Sequence, residues 1–312
     1  MPDRQRSGAD SASRQARCRA RPAAGGALLR GRRGRGVKLF RPYLWGGRII
    51  KLARRLGMDV MPTLTRDHRI AGARLAWREE EPGLLRGAVV EGAHDGVPIR
   101  LFVANDLDVI QQVHRKGEFY EPEELAIIKS AWDQRLGGGT FLDVGANVGN
   151  HALFAALVLG ADRVIASEPQ EVAARIFETN AALNHVANRI ELHRVGLSDS
   201  AGQARLQSTS NNLGAARLEQ GEGGIDLVTG DALVGEQAIG FIKIDTEGFE
   251  LPVLRGLTAT IARDHPPLFV EVETENLAAF EQFCAEHGYA VTERFQRYET
   301  SVNCLAIHQE NS

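Results

Sequence analysis

Phe141-Leu142-Asp143-Val144-Gly145-Ala146-Asn147-Val148-Gly149-Asn150-His151 has the form of a short strand that ends in a sharp turn and opens a helix. Its glycines let the backbone turn and come close to a ligand, and the helix start presents free N–H groups. In an open parallel sheet, such junctions line the crevice outside the carboxyl ends of the strands, where ligands bind. The next apolar run, Val164-Ile165-Ala166-Ser167, ends in Glu168, 25 residues after Asp143. An acid at that place fits the hydroxyls of an adenosine ribose.

The turn reads D-x-G-x-N-x-G. A dinucleotide fold asks instead for G-x-G-x-x-G, so that a pyrophosphate can sit on the helix end. Here Asn147 stands where the second glycine belongs, and Asp143 would repel a pyrophosphate but suits an ammonium group. S-adenosylmethionine carries an ammonium and no phosphate, so the pattern points to it over NAD. The expected cofactor residues are Asp143, Gly145, Ala146, Asn147, Gly149, Asn150 and Glu168, with Gly196-Leu197-Ser198 supplying backbone to the adenine.

Outward from this junction, strands alternate with helical patterns. Strands are expected at Thr140–Val144, Arg163–Ser167, Ile190–Val195, Phe241–Asp245 and Leu268–Val272, and helices near 148–158, 170–182, 250–262 and 276–286. Such alternation implies a mostly parallel sheet covered on both faces. Ala290–Phe295 and Val302–His308 read as an antiparallel pair closing one edge. Residues 203–232 break the rhythm and read as an inserted hairpin or strand, with a polar loop at Asn211-Asn212-Leu213-Gly214 as a candidate lid. Upstream, Leu84–Val90 and Val97–Val103 form a hairpin joined by the turn-rich Glu91–Gly96, whose Asp95-Gly96 is a strong turn signal. Helices follow near Asp106 and from Glu121-Pro122-Glu123-Glu124, the latter ending at Gly137-Gly138-Gly139.

The strand Phe241-Ile242-Lys243-Ile244-Asp245 puts Phe241, Lys243 and Asp245 on one face. A central parallel strand is normally apolar throughout, so Lys243 needs a buried partner. The candidates are Asp245, Glu247 and Glu271. Glu250 is read as an acid at a helix start. His151 is read as a surface or capping residue, with the acceptor side as the alternative.

The order Asp143–Asn150, Glu168-Pro169 and Ile242-Lys243-Ile244-Asp245-Thr246-Glu247-Gly248-Phe249-Glu250 resembles the FkbM-type family of S-adenosylmethionine-dependent methyltransferases. Leu254-Arg255-Gly256 and Phe269-Val270-Glu271 share the likeness, which covers about residues 84–310. Thr246 departs from it, where an apolar residue is expected. The resemblance implies a Rossmann-like class I methyltransferase fold with a seven-stranded sheet and O-methylation of a sugar or natural-product hydroxyl. For such a transfer, Asp245 or Glu247 is expected as the base and Lys243 as an orienting or alkoxide-stabilising group, with a structural ion pair as its alternative. Asp245, Glu247 and Glu271 also form a possible oxygen set for Mg²⁺, while the 9 His show no zinc spacing. The other function classes are an NAD-dependent Rossmann oxidoreductase and a non-catalytic methyltransferase-like binding protein.

Composition bounds the rest. The 3 cysteines are scattered, which favours a reducing cytoplasmic setting, and no apolar run is long enough for a membrane helix. Residues 1–41 hold 11 Arg and 1 Lys against 2 Asp, a net of +10 that leaves −13 for the rest of a chain whose total is −3. This start reads as a disordered basic extension, the remainder as too acidic for nucleic acid to be its partner. Residues 47–57 read as a short basic amphipathic helix. The expected division is 1–41 extension, 42–136 helix, hairpin and cap helices, and 137–312 cofactor-binding domain.

Overall fold

The computed structural model describes residues 58–64, 85–105, 107–134, 139–207, 213 and 217–311. The basic start, the 47–57 helix and the Asn211-Asn212 tip of the expected lid lie outside them. In chain order the cap holds β1 (Met58–Leu64), β2 (Leu85–His94), β3 (Val97–Val103), α1 (Val109–His114) and α2 (Pro122–Gln134). Then come β4 (Thr140–Val144), α3 (Asn150–Leu157), β5 (Arg163–Ser167), α4 (Glu171–Leu183) and β6 (Ile190–His193). The next stretch holds β7 (Gly196–Ser198), β8 (Gly202–Gln207), β9 (Arg217–Gln220), β10 (Ile225–Thr229), α5 (Gly230–Val234) and β11 (Ile239–Ile244). Last are α6 (Glu250–Arg255), α7 (Thr258–Asp264), β12 (Leu268–Glu273), α8 (Leu277–Glu286), β13 (Tyr289–Phe295) and β14 (Ser301–His308).

The main sheet has seven strands in the order β13-β14-β12-β11-β4-β5-β6. Strands β4, β5, β6, β11 and β12 pair in parallel, and the C-terminal pair closes one edge in antiparallel fashion. Within that pair β14 runs against the others, one place in from the outermost strand. Alternation in the central strands feeds two cores. Phe141 and Phe241 stack at 5.2 Å on one face beneath Trp132 of α2. Leu142, Val144, Ile242 and Ile244 face the other, under α6, α7 and α8. These strands are buried along their whole length, as expected of parallel strands covered on both sides.

Three expectations change. The hairpin's first strand continues through Glu91–His94, so the connection is only Asp95-Gly96, both at positive φ, and β1 adds a parallel third strand. The irregular stretch is a second, four-stranded sheet in the order β7-β10-β8-β9. The helix expected over 250–262 is two, α6 and α7, which meet at Gly256, where a Cβ would lie 2.1 Å from the Ser198 carbonyl oxygen. Among the described residues no helix is long and apolar enough to cross a membrane.

Candidate active site

A cavity of about 330 Å³ opens at the carboxyl ends of β4, β5, β11 and β12. Of the expected cofactor residues, Gly145, Ala146, Asn147, Asn150 and Glu168 line it. Asp143, Gly149 and Ser198 do not. Asp143 is fully buried behind the turn, and Ser198 packs against Gly256, leaving Gly196 and Leu197 at the wall. The two turn glycines answer to packing. At Gly145 (φ +76°) a Cβ would fall 1.8 Å from the Asp245 carbonyl oxygen, and at Gly149 (φ +88°) 2.2 Å from the Phe177 ring.

The turn is held from β5. Gly145 N and Ala146 N both donate to the Ser167 carbonyl at 3.0 Å. Glu168 accepts from Asn147 N at 2.8 Å and from Gln170 N at 2.7 Å, one bond to each oxygen. Burial raises the Glu168 carboxyl to about 7 against the pull of those two amides. Its orientation at the cavity edge is fixed before any ligand arrives.

Across the sheet, Lys243 lies opposite Asp143 in the β11–β4 register, so both side chains fall on one face. The ammonium donates to the Gly145 carbonyl at 3.0 Å and sits 3.3 Å from Asp143 Oδ1 and 3.5 Å from Asp245 Oδ2. The Asp143 contact is an ion pair without good hydrogen-bond alignment. Of the partners expected for Lys243, Asp245 is present. Glu247 and Glu271 are replaced by Asp143, because strand register brings that acid alongside. Burial alone would lower the ammonium's pKa, but Asp143, Asp245 and Glu121 hold it above the ordinary value. One proton of the ammonium is thus engaged by the Gly145 carbonyl, with the two carboxylates beside it.

The other acids form the rim. Glu247 is half-buried at φ +55°, in a turn tied back by Glu250, whose Oε1 accepts from Thr246 N, Thr246 Oγ1 and Gly248 N at 3.0–3.1 Å. Thr246, the departure from the family pattern, thus has a partner of its own. Burial, then the Asp245 charge, raises Glu247 to about 7. The same causes raise Glu271, which accepts from Ser301 Oγ at 2.5 Å. Among the described residues, Asp245, Glu247 and Glu271 do not converge as a metal-ligand group; the group that does is His265, His308 and Glu310, away from the cavity.

Tyr120, Glu121, Tyr298 and Ser301, which lie outside the motifs, also line the cavity. Tyr120 and Tyr298 meet through their hydroxyls. Arg297 donates from Nε to Glu124 Oε1 at 2.7 Å and from Nη2 to Glu124 Oε2 at 2.6 Å and Glu123 Oε2 at 2.7 Å, fixing the β13–β14 turn to α2. Glu121 stands at φ +60° before Pro122, 3.6 Å from His151 Nε2. His151 itself is buried rather than a surface residue. Only the Glu121-Pro122 step hinted at this wall, and it reads equally well as an ordinary helix start.

A mostly parallel seven-stranded sheet with its antiparallel C-terminal pair, and a ligand turn after the first central strand, define a Rossmann-like class I methyltransferase fold. Residues 143–291 match the family profile described as Methyltransferase FkbM domain.

Among solved structures, the chain is similar to methyltransferase FkbM from Methylobacillus flagellatus KT, at 19% identity over 55% of this chain and 44% of that one, TM-score 0.41. It thus spans less than half the length of that protein. It is also similar to ribosomal protein L11 methylase from Lactobacillus delbrueckii subsp. bulgaricus, at 14% identity over 81% and 96% of the two chains, TM-score 0.41. A third likeness is to a proposed tRNA (m1A22) methyltransferase of Streptococcus pneumoniae in complex with S-adenosyl-L-methionine, at 13% identity over 60% and 72%, TM-score 0.42. No curated protein matches the chain.

Proposed function

We propose that this protein binds S-adenosylmethionine and methylates a hydroxyl of a neutral, polyhydroxylated acceptor such as a sugar or a natural product. One observation carries the reading: Asp245, Glu247 and Glu271 ring the cavity next to the turn and Glu168, and Lys243 is the one Lys or Arg among the described lining residues. An anionic acceptor, including a nucleic acid backbone, finds no counter-charge at that rim beyond Lys243, which is already paired with Asp143 and Asp245. A hydroxylated neutral one finds acceptors for its protons.

The residues fit the cofactor. Glu168 is oriented for ribose hydroxyls, Gly196 and Leu197 offer a wall for the adenine, and buried His151 Nε2 has no hydrogen-bond partner of its own on the described chain. When bound, S-adenosylmethionine supplies an electrophilic methyl on a sulfonium. The protein aligns the acceptor hydroxyl and takes its proton. Asp245 is the base: it directly follows β11 at the cavity, and Lys243 behind it holds the carboxylate in place. Lys243 is therefore a positioning residue. Glu247 and Glu271, with raised carboxyls, serve to bind acceptor hydroxyls.

The test is transfer of labelled methyl from S-adenosylmethionine to a panel of saccharide and polyol acceptors, with RNA and proteins alongside. Label should pass to a hydroxyl acceptor, and Asp245→Asn should keep cofactor affinity while losing ~10²-fold or more in turnover. Label in RNA, or normal turnover by Asp245→Asn, would contradict the assignment.

A further inference from the structure

We propose that Glu121 and His151 clamp the amino-acid end of the cofactor, Glu121 taking the ammonium and His151 the carboxylate, a step that rests on the S-adenosylmethionine reading of the cavity. The acid that the sequence offers for the ammonium, Asp143, is wholly buried and faces Lys243, so it is out of a ligand's reach. Glu121 replaces it. Its carboxylate lines the same cavity as Gly145 and Asn147 and is 11% exposed.

The backbone there is built for one position. Asn150, the first residue of α3, accepts from Tyr120 N at 2.9 Å and donates to the Tyr120 carbonyl at 3.0 Å. His114 Nε2 is 3.1 Å from the same Asn150 oxygen. The cap segment is thus stapled to the helix that follows the turn, one residue before His151. Glu121 pays for its place with a left-handed backbone at φ +60°, a strained conformation of the kind that collects at ligand sites. Of the six non-glycine residues at positive φ among those described, Glu121, Asn147 and Glu247 line this one cavity.

The two side chains complement a zwitterion. Glu121 Oε2 and His151 Nε2 lie 3.6 Å apart, too far for a hydrogen bond to each other, and His151 Nε2 is buried without a partner. An α-amino acid presents an ammonium to an acceptor and a carboxylate to an N–H donor at comparable spacing. Burial raises the Glu121 carboxyl to about 8, with Asp245 and Glu124 adding to it, so a cation delivered beside it would be bound with its ionised form restored.

The experiment compares S-adenosylhomocysteine with 5′-methylthioadenosine, which keeps the nucleoside and lacks the amino-acid end, by calorimetric titration. Glu121→Gln should weaken S-adenosylhomocysteine ~10-fold or more and leave 5′-methylthioadenosine within about twofold, as expected for a lost charge-assisted contact. His151→Phe should act in the same selective way, and Glu121→Asp should recover part of the loss. Equal weakening of both ligands, or of neither, overturns the clamp. Wild-type protein that binds neither ligand overturns the cofactor reading as well, and that failure is recognised because it appears before any substitution is made.

Discussion

Lys243 and Asp143 face each other across two neighbouring strands, 3% and 0% exposed, and removing Lys243 leaves Asp143 buried without its counter-charge. Breaking a buried pair by deleting one partner costs about 3–5 kcal/mol, because the remaining charge has no solvent to turn to. Lys243→Met should therefore destabilise the fold by about that amount. The double variant with Asp143→Asn should cost clearly less than the two single changes added together, a coupling read by urea unfolding of all four proteins. Strict additivity would mean that the pair is not coupled. The sequence showed that Lys243 required a buried partner, since an ammonium inside a parallel strand cannot stand alone. It did not show which partner, because the register of β11 against β4 is written in neither motif. Glu121 was hidden for a different reason: a left-handed backbone before proline leaves no periodic or compositional trace.

Among the elements, the turn between β13 and β14 is tied to the cap as a wall of the site by Arg297, which reaches across to α2, and by the Tyr298–Tyr120 contact. Glu124, its bidentate partner, is fully buried, whereas Arg297 is 27% exposed. Arg297→Ala should lower stability by about 3 kcal/mol through the stranded Glu124, and should loosen the Tyr298 side of the cavity. Chemical denaturation gives the first effect. Faster hydrogen exchange over residues 296–300 gives the second, and unchanged exchange there would show that the turn holds without its latch. The strands Thr140–Val144 and Arg163–Ser167 were legible to the residue, because both faces are buried and the apolar run ends where the strand ends. Of the second sheet, only an inserted hairpin or strand within 203–232 was legible, not four strands. Its strand Gly202–Gln207 is mostly exposed, so it carries no hydrophobic pattern to read. The helix break at Gly256 was also invisible, since it follows from contact with Ser198, about sixty residues away.

For the whole molecule, the gathered acids set a pH dependence. Glu168 and Glu247 are raised from 4.5 to about 7 and Glu121 to about 8, mainly by burial. A carboxyl whose folded pKa lies above its unfolded value contributes its full stability below 4.5 and loses it as pH rises through the folded value. Buried His114, lowered to about 4, and His151, also lowered, oppose this only below 6.5, where the unfolded imidazoles take protons. Between about pH 6.5 and 8 the acids act alone, so the melting temperature of the ligand-free protein should fall across that interval. A rising melting temperature there would contradict the site electrostatics described above.

Calorimetric titration of wild-type protein with S-adenosylmethionine, S-adenosylhomocysteine and NAD decides whether this sheet carries a site for S-adenosylmethionine. The first two should bind one per chain and displace each other, NAD should give no binding heat, and Glu168→Ala should weaken S-adenosylmethionine by about 1–3 kcal/mol through the lost ribose contacts. Binding of NAD without S-adenosylmethionine, or a folded Glu168→Ala variant with unchanged affinity, would contradict the account.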